Sequence, residues 1–227
     1  VDHQKRMAYL NAIGGPDVSE LLLTHRHQDH AGGAALLSQE TGISITCHIQ
    51  ERKSIESERL AGRAEVFTTF AGGEKQNLGG LSINIIHTPG HTLGSVSIYI
   101  PERNALLTAD TVLGVTTSIV RPSEGDLGLY VKSLEYLEVL NAQVINPGHG
   151  PPITDPISRI KMLLKHRLDR EEAILQALSE GYNTIQSIRP MVYKNLPAGR
   201  ERMAEEQVLS GLNKLIQEQR VASEEDR

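Results

Sequence analysis

Histidine and aspartate side chains are concentrated in a few short turns of this chain of 227 residues. Three of its nine histidines, His25, His27 and His30, share one turn with Asp29. A leucine-rich segment precedes this turn and a Gly-Gly pair follows it, so we predict a buried strand, a polar turn and the start of a helix. Imidazole and carboxylate are typical ligands of zinc, manganese and iron, so these residue types predict a metal site.

One short segment can provide ligands for two metal ions. His25 and His27 are two positions apart, and alternate side chains of an extended turn point the same way, so both can bind one ion. Asp29 and His30 lie just beyond, where the helix begins, and face a second position. Isolated histidines are more often packed structural residues than ligands. We interpret three histidines in that way: His3, His48 and His166.

Three more candidate ligands follow short apolar segments further along the chain. His91 ends a strand and turn, Asp110 ends an apolar strand, and His149 comes after a brief apolar pair in a Gly-Pro loop. An unpaired carboxylate at the end of a buried strand is costly, and binding a metal ion would offset that cost. His87 lies four positions before His91, and we interpret it as a supporting or structural residue rather than a ligand.

Short strands and helices alternate around these residues, which predicts an α/β or α+β layering. Turns rich in glycine, asparagine or proline separate the segments. Strands are predicted at residues 18–23, 43–49, 66–70, 81–86, 95–100, 105–109 and 144–145. Helices are predicted after Gly33 and at residues 129–140.

The sequence becomes helical after residue 156, where apolar residues recur at helical spacing. Helices are predicted at residues 157–164, 166–178, 184–192 and 200–219. We therefore predict a metal-binding domain at residues 1–157, a small helical domain at residues 158–222 and a disordered tail at residues 223–227.

Composition disfavours several classes of protein. The chain is 39% hydrophobic with a net charge of −5, so it has no overall electrostatic attraction for nucleic acid or anionic membranes. No apolar run approaches the roughly 18 to 20 residues of a membrane-spanning helix, and no signal peptide opens the chain. We expect a cytoplasmic protein, or one of an organelle such as the mitochondrion. The single cysteine, Cys47, cannot form a thiolate cluster and is expected in the core.

The order of these motifs resembles the metallo-β-lactamase superfamily over about residues 18–152. The shared signature is His-x-His-x-Asp-His, a later Gly-His, an aspartate at a strand end and a final Gly-His. The resemblance implies an α+β fold, an αββα sandwich with two metal ions at one edge between its sheets. It also implies the ligands: His25, His27 and His91 on one metal, Asp29, His30 and His149 on the other, and Asp110 bridging both.

The sandwich is expected to lack its first strands, because only residues 1–3 could correspond to the strand that normally precedes the histidine motif. Two motifs narrow the resemblance: His-Thr-Pro-Gly-His-Thr at residues 87–92 and Asn-Pro-Gly-His-Gly-Pro at residues 146–151. With the helical region that follows, they are similar to the group of β-lactamase-like protein 2 and its bacterial and fungal relatives. That group has a winged-helix-like C-terminal domain. Its animal members cleave single-stranded RNA, and fungal relatives release polyketides from an acyl carrier protein as thioesterases.

The resemblance implies a zinc-dependent hydrolase, with manganese or iron as alternative metals. Two divalent ions would provide a bound hydroxide that cleaves a thioester, a small ester or an RNA phosphodiester. Asp29 and Asp110 are predicted to be catalytic as well as ligands, with Asp29 holding a proton for the leaving group. Single-strand endoribonuclease activity, a β-lactamase side activity and a non-catalytic binding role stay open as alternatives. Asp110 disfavours a typical β-lactamase, because the commonest subclass has cysteine at that position.

Basic residues recur at near-helical spacing in the C-terminal region, at Lys161, Lys165, Arg167 and Arg170. Acidic residues lie beside them and the region is almost neutral, so we interpret this pattern as an ordinary solvated helix face rather than a nucleic-acid surface. The predicted partners are a small thioester or ester, or single-stranded RNA, without DNA or a membrane. The oligomeric state stays open.

Overall fold

The computed structural model describes residue 8, residues 20–78 and residues 80–222. The chain forms two compact units, of which the first ends at Gly72 and the second begins at Gly73. Each unit contains its own β-sheet and its own apolar core. Two predicted features, the strand remnant at residues 1–3 and the tail at residues 223–227, lie outside the described residues.

The first unit is built on a parallel three-stranded sheet in the order β1-β2-β3. Parallel strands need crossover connections, and helical segments provide them here. The strands are β1 (Glu20–Leu23), β2 (Ser44–His48) and β3 (Val66–Phe70). The connections contain α1 (Gln28–Ala31), α2 (Ala34–Thr41), α3 (Ile49–Ser54) and a π-helical segment (Ile55–Leu60).

The core of the first unit joins the sheet to these connections. Ile45 and Cys47 of β2 are fully buried and share one apolar cluster with Ile55 and Leu60. The helical character of residues 49–60 was not predicted from the sequence. Their apolar residues are too widely spaced to mark a helix face, and charged residues fill the positions between them.

The second unit contains a five-stranded sheet in the order β4-β5-β6-β7-β8. The first four strands pair antiparallel, and β8 pairs with β7 in parallel. The sequence missed β4, because its Lys-Gln-Asn-Leu segment is polar and lies at the sheet edge. The strands are β4 (Lys75–Leu78), β5 (Leu81–His87), β6 (Val96–Ile100), β7 (Ala105–Ala109) and β8 (Val144–Pro147).

Helices follow and complete the second unit. They are α4 (Leu127–Val139), α5 (Pro156–Ser179), α6 (Ile185–Val192) and α7 (Glu201–Gln217), with a short 3-10 turn at Pro101–Arg103. The prediction of separate helices at residues 157–164 and 166–178 is wrong, because no glycine or proline interrupts α5 between its first residue and Ser179. None of the described helices is long and apolar enough to cross a membrane.

Helix α5 contributes to two apolar clusters of the second unit. Its first half adds Leu163 to a cluster with Leu106 and Ile145 of the sheet and Tyr130 of α4. Its second half packs with α6 and α7 in another cluster, formed by Ile174, Ala177, Ile188, Val192, Val208 and Leu215. Each large side chain buried in this way stabilises the fold by about 1.5 to 3 kcal/mol.

Gly90 allows the turn after β5 to pass close to α4. Its φ of +142° is accessible to glycine but strained for residues with a side chain. A Cβ atom at this position would lie 2.3 Å from Cα of Tyr130. Gly181, after α5, also has a positive φ, of +91°, but a Cβ there would meet no atom within 4 Å. The two glycines therefore share backbone strain and differ in crowding.

We expect Gly181→Ala to lower the free energy of unfolding by about 1 to 2 kcal/mol, the cost of a left-handed conformation for an L-residue. Gly90→Ala should cost roughly 1 to 3 kcal/mol more, because the backbone of α4 has to move. Urea unfolding followed by circular dichroism measures both losses. Equal losses in the two variants would contradict the close approach of Gly90 to α4.

Burial in the first unit also predicts the reactivity of the one thiol. Loss of hydration raises the pKa of Cys47 from 9.0 to about 12, and the thiolate is the reactive form. We expect iodoacetamide to leave Cys47 unmodified in the folded chain at mildly alkaline pH and to modify it fully in guanidinium chloride. Any stabilisation linked to this proton is present below pH 9.0 and decreases as the pH rises toward about 12. Rapid modification of the folded chain, detected by mass spectrometry, would show that the thiol is accessible.

Candidate metal centre

Four candidate ligands of the first unit follow β1: His25 and His27 lie in the turn after it, and Asp29 and His30 lie in α1. The ring of His25 lies 4.8 Å from that of His27 and 4.2 Å from that of His30, measured between ring centroids. The ligand atoms of His25 and His27 lie within 4.8 Å of each other, as do those of Asp29 and His30. His25 is completely buried, whereas Asp29 is exposed. The turn and α1 therefore bring together the four ligands that the sequence predicts for this unit.

Two charged side chains hold the backbone between His25 and His27. The amide of Arg26 donates to Oε2 of Glu51 over 3.0 Å, and its carbonyl accepts a hydrogen bond from Nε of Arg59 over 2.6 Å. Glu51 lies on α3 and is completely buried. Burying a carboxylate is costly unless donors compensate it, so its contact with the histidine turn points to a positioning role. No sequence signal distinguished Glu51, which is one of several charged residues in its helix.

In the second unit, Asp110 directs one carboxylate oxygen toward each of two histidines. Oδ2 lies 3.7 Å from Nε2 of His91, and Oδ1 lies 3.6 Å from Nε2 of His149. The side chains of Asp110 and His91 are nearly buried, whereas half of the His149 side chain is exposed. A carboxylate that divides its oxygens between two imidazoles has the arrangement of a bridging ligand. The second unit thus brings together its three predicted ligands.

Sheet topology places Asp110 and His149. Asp110 directly follows β7, and His149 follows β8, which runs parallel to β7 and ends at the same edge of the sheet. Ala109 has a φ of +44°, and its carbonyl accepts a hydrogen bond from the amide of Gly148 over 2.8 Å. Left-handed backbone at a residue with a side chain is strained, and such strain is concentrated at functional sites.

Hydrogen bonds at Nδ1 orient the ring of His91. This atom lies 2.7 Å from the carbonyl oxygen of Ile119 and 3.1 Å from Oγ of Ser118. A carbonyl oxygen can only accept, so Nδ1 carries the proton and Nε2 keeps the lone pair that a metal ion requires. Histidines that bind metals usually donate from their other ring nitrogen in this way.

The donor set fits divalent metal ions. Two ligand atoms bound to one zinc ion at about 2.0 to 2.2 Å lie roughly 3.3 to 3.6 Å apart when the site is tetrahedral. The separations of Asp110 from His91 and His149, 3.7 and 3.6 Å, are close to this range. Imidazole nitrogen and carboxylate oxygen without thiolate suit zinc, manganese and iron.

Other described histidines have structural contacts. Both ring nitrogens of buried His48 contact backbone groups, and Nε2 of His87 donates to a backbone carbonyl over 2.8 Å. His166 is half-buried on α5, and this burial lowers its pKa. The contacts of His48 and the partial burial of His166 agree with their interpretation as packed residues, and His3 lies outside the described residues.

A family profile described as "Metallo-beta-lactamase superfamily" matches residues 2–149, more than half of the chain. The chain belongs to the metallo-β-lactamase superfamily. A second profile, described as "Beta-lactamase associated winged helix domain", matches residues 184–227. The resemblance inferred from the histidine motifs, including the C-terminal winged helix, is thereby confirmed.

Curated relatives of this metallo-β-lactamase superfamily chain come from animals and fungi. The β-lactamase-like protein 2 homolog of Caenorhabditis elegans is 30% identical, over 79% of this chain and 59% of that protein. The lactamase-like protein adaB of Aspergillus niger is 33% identical, over 72% of this chain and 47% of that protein. An Aspergillus chevalieri protein named atrochrysone carboxyl ACP thioesterase is 29% identical, over 99% of this chain and 70% of that protein. The chain therefore spans between about half and seven tenths of these relatives.

Solved structures of the superfamily confirm the predicted mixed fold of helices and sheets. A metallo-beta-lactamase family protein from Thermus thermophilus matches with a TM-score of 0.77 and 26% identity, over 96% of this chain and 82% of that chain. A beta-lactamase domain protein from Burkholderia ambifaria matches with a TM-score of 0.84 and 20% identity, over 95% of this chain and 73% of that chain.

The contacts of two histidines in this metallo-β-lactamase fold predict a loss of zinc affinity when one is substituted and no loss when the other is. His149→Ala removes a neighbour of Asp110 and should weaken zinc binding roughly 100-fold or more, since even residues that support a ligand contribute about 10- to 100-fold. His87→Ala is the matched control, because its Nε2 already donates to a backbone carbonyl. Competition with a chromogenic chelator measures both affinities. Equal zinc affinities would show that His149 is not a ligand.

Proposed function

We propose that this chain is a metal-dependent hydrolase whose two ligand clusters hold one pair of divalent ions. The observation that carries this proposal is Asp110, with its two oxygens directed at two histidines. The ligand order of the superfamily, which the chain matches, supports a dinuclear centre with zinc, or else manganese or iron. The proposed ligands are His25, His27 and His91 for one ion, Asp29, His30 and His149 for the other, and Asp110 between them.

Two bound divalent ions would lower the pKa of a water molecule toward neutrality and polarise the bond to be cleaved. The residues of the chain hold and orient the reacting groups. Asp110 keeps its direction because Oγ1 of Thr108 donates to the carbonyl of Val112 and the amide of Thr111 donates to the carbonyl of Thr108. Asp29 has a side chain that is 57% exposed, and we propose that it holds a proton for the leaving group.

Ion pairs on the C-terminal helices favour a thioester or small ester over RNA as the substrate. RNA binding depends on cationic side chains that are available to phosphates. Lys161 pairs with Glu138, and Lys165 pairs with Asp169. Carboxylates also neutralise further cations of this region, in the pairs Arg189–Glu205, Arg202–Glu206 and Lys214–Glu171.

The two arginines of the predicted basic helix face are engaged inside the protein as well. Arg167 is 9% exposed, so the interpretation of residues 161–170 as a solvated face is wrong at this position. Arg170 lies over the ring of Tyr193, 4.3 Å from its centroid, and donates to the carbonyl of Val192. Both guanidinium groups are therefore committed to internal contacts.

The names of relatives support the same substrate class. The Aspergillus chevalieri relative, which this chain matches over 99% of its own length, is named a thioesterase. We therefore propose hydrolysis of an acyl thioester or a small ester. RNA cleavage, slow β-lactam hydrolysis and metal binding without turnover are the competing outcomes of the assay below.

We also propose that the metal-binding domain extends to residue 157 and that residues 158–222 form the helical domain. Helix α5 begins at this boundary, at Pro156, and the side chain of Asp155 caps it by accepting from the amide of Ser158. The second half of α5 forms an apolar cluster with α6 and α7, which supports a compact helical domain.

Asp110→Asn keeps the size of the side chain but removes the charge that two metal ions require. We expect it to lose bound zinc and at least about 100-fold in thioester hydrolysis, as the loss of a transition-state stabilising group does. Asp169→Asn is the control, because this carboxylate is exposed and pairs with Lys165 on α5. Turnover that survives in Asp110→Asn at the level of the control would refute the proposed function.

A parallel assay identifies the substrate class. Zinc-loaded wild-type chain, with its metal content measured, is incubated with acyl thioesters, a fluorescent single-stranded RNA and a chromogenic β-lactam. We expect thioester turnover that is lost in Asp110→Asn. RNA cleavage with the same dependence on Asp110 would overturn the proposed substrate class but keep the hydrolase. Absence of turnover on all three substrates by metal-loaded protein would favour a binding role.

A further inference from the structure

Residues 111–121, part of the connection between β7 and α4, lie next to His91. We call this segment the ligand loop. Its carbonyl of Ile119 accepts the Nδ1 hydrogen of His91, and the hydroxyl of Ser118 lies 3.1 Å from the same atom. The loop contains no helix or strand, so its conformation is not fixed by regular backbone hydrogen bonding. Contacts from other elements must hold Ile119 in the place that His91 needs.

Arg167 of α5 provides such a contact. Its Nη2 donates to the carbonyl of Ser118 over 2.5 Å, and its guanidinium lies 4.9 Å from the centroid of the Tyr130 ring. Among the described residues no carboxylate pairs with Arg167, and its Nε has no hydrogen-bond partner. A buried charge without a counter-ion costs stability. Stability therefore does not explain why Arg167 is buried against the ligand loop.

Tyr130 connects the same arginine to Asp110, another candidate ligand of the second unit. Its hydroxyl donates to the carbonyl of Thr111, the residue after Asp110, over 2.9 Å. Burial raises the pKa of this phenol, so it stays a hydrogen-bond donor. The ring of Tyr130 thus lies between Arg167 and the backbone next to Asp110.

Helix α7 holds the next residue of the ligand loop. The carbonyl of Val120 accepts hydrogen bonds from Nε2 of Gln207 over 2.9 Å and from Oγ of Ser210 over 2.6 Å. Arg159 of α5 donates to the carbonyls of Leu113 and Thr116. The C-terminal helices therefore fix the ligand loop at several points, and Arg167 acts next to Ile119 itself.

We propose that Arg167 is a positioning residue that fixes the Ser118–Ile119 backbone, so that His91 donates from Nδ1 and presents Nε2 to the metal ion. The expected effect on metal binding rests on the proposed function, whereas the expected effect on the tautomer of His91 does not require a metal ion. A helix of the C-terminal part thereby sets the tautomer and direction of a ligand in the metal-binding domain. This would give the appended helices a direct part in the metal site.

The test compares two arginines of the same helix. Arg167 and Arg170 each lie over a tyrosine ring and each donate to one backbone carbonyl, but Arg170 contacts Tyr193 and Val192 rather than the ligand loop. Arg167→Met and Arg170→Met remove the same group from the two environments. Nitrogen-15 NMR of the histidine rings, in metal-free protein above the histidine titration range, reports which nitrogen of His91 carries the proton. Chelator competition then measures zinc affinity.

We expect wild type and Arg170→Met to show the Nδ1–H form of His91. Arg167→Met should show the Nε2–H form or a mixture of both, with about 10- to 100-fold weaker binding of one zinc equivalent. An unchanged His91 tautomer and unchanged zinc affinity in Arg167→Met would overturn the proposal. If Arg167→Met does not fold, Arg167→Lys keeps the charge but loses the planar fork of donors, and the same two outcomes decide.

The two proposals fail in different ways. A wild-type chain that binds none of zinc, manganese or iron would refute the metal centre, while the ring spectra of metal-free protein would still test the role of Arg167. Normal zinc binding in wild type with identical spectra in Arg167→Met would refute only the positioning role.

Discussion

The carboxylate of Asp110 at the end of β7 is the group on which the arrangement of the second unit depends. It is nearly buried, and a buried charge is tolerated only when groups of opposite or complementary polarity surround it. The parallel pairing of β7 with β8 supplies His149, and the turn after β5 supplies His91. A slip of one residue in the register of β7 would turn Asp110 to the opposite face of the sheet.

Each unit uses one buried charged residue to hold backbone beside its histidines. In the first unit it is Glu51, which accepts from the amide between His25 and His27. In the second it is Arg167, which donates to the loop that orients His91. Burying each of these charges costs stability, and hydrogen bonds to the backbone help to offset that cost. Apolar clusters without such charges stabilise each unit, so Glu51 and Arg167 can hold the backbone next to the histidines.

The sequence predicted which candidate ligands lie together within each unit, because ligand chemistry restricts residue type and strand ends restrict position. It did not predict Glu51, Arg167 or Tyr130, since a charge on a helix or an aromatic in an apolar stripe has the same local pattern in many unrelated settings. Regular strands such as β3 and β7 were recognised from apolar runs, whereas the polar edge strand β4 was missed. What escaped prediction depends on contacts between residues that are far apart in the chain, as between Arg167 and Ser118.

The positioning contacts and the substrate class have a common physical basis. A guanidinium that donates to a backbone carbonyl and lies against an aromatic ring is less available to a phosphate in solvent, and this applies most to Arg167, which is 9% exposed. Holding the ligand loop in place therefore removes positive charge from the surface of α5. A helix that turns one arginine inward and pairs Lys161 and Lys165 with carboxylates presents less unpaired positive charge to a polyanion. On this argument Arg167 would serve both the geometry of His91 and the small, uncharged substrate that we propose.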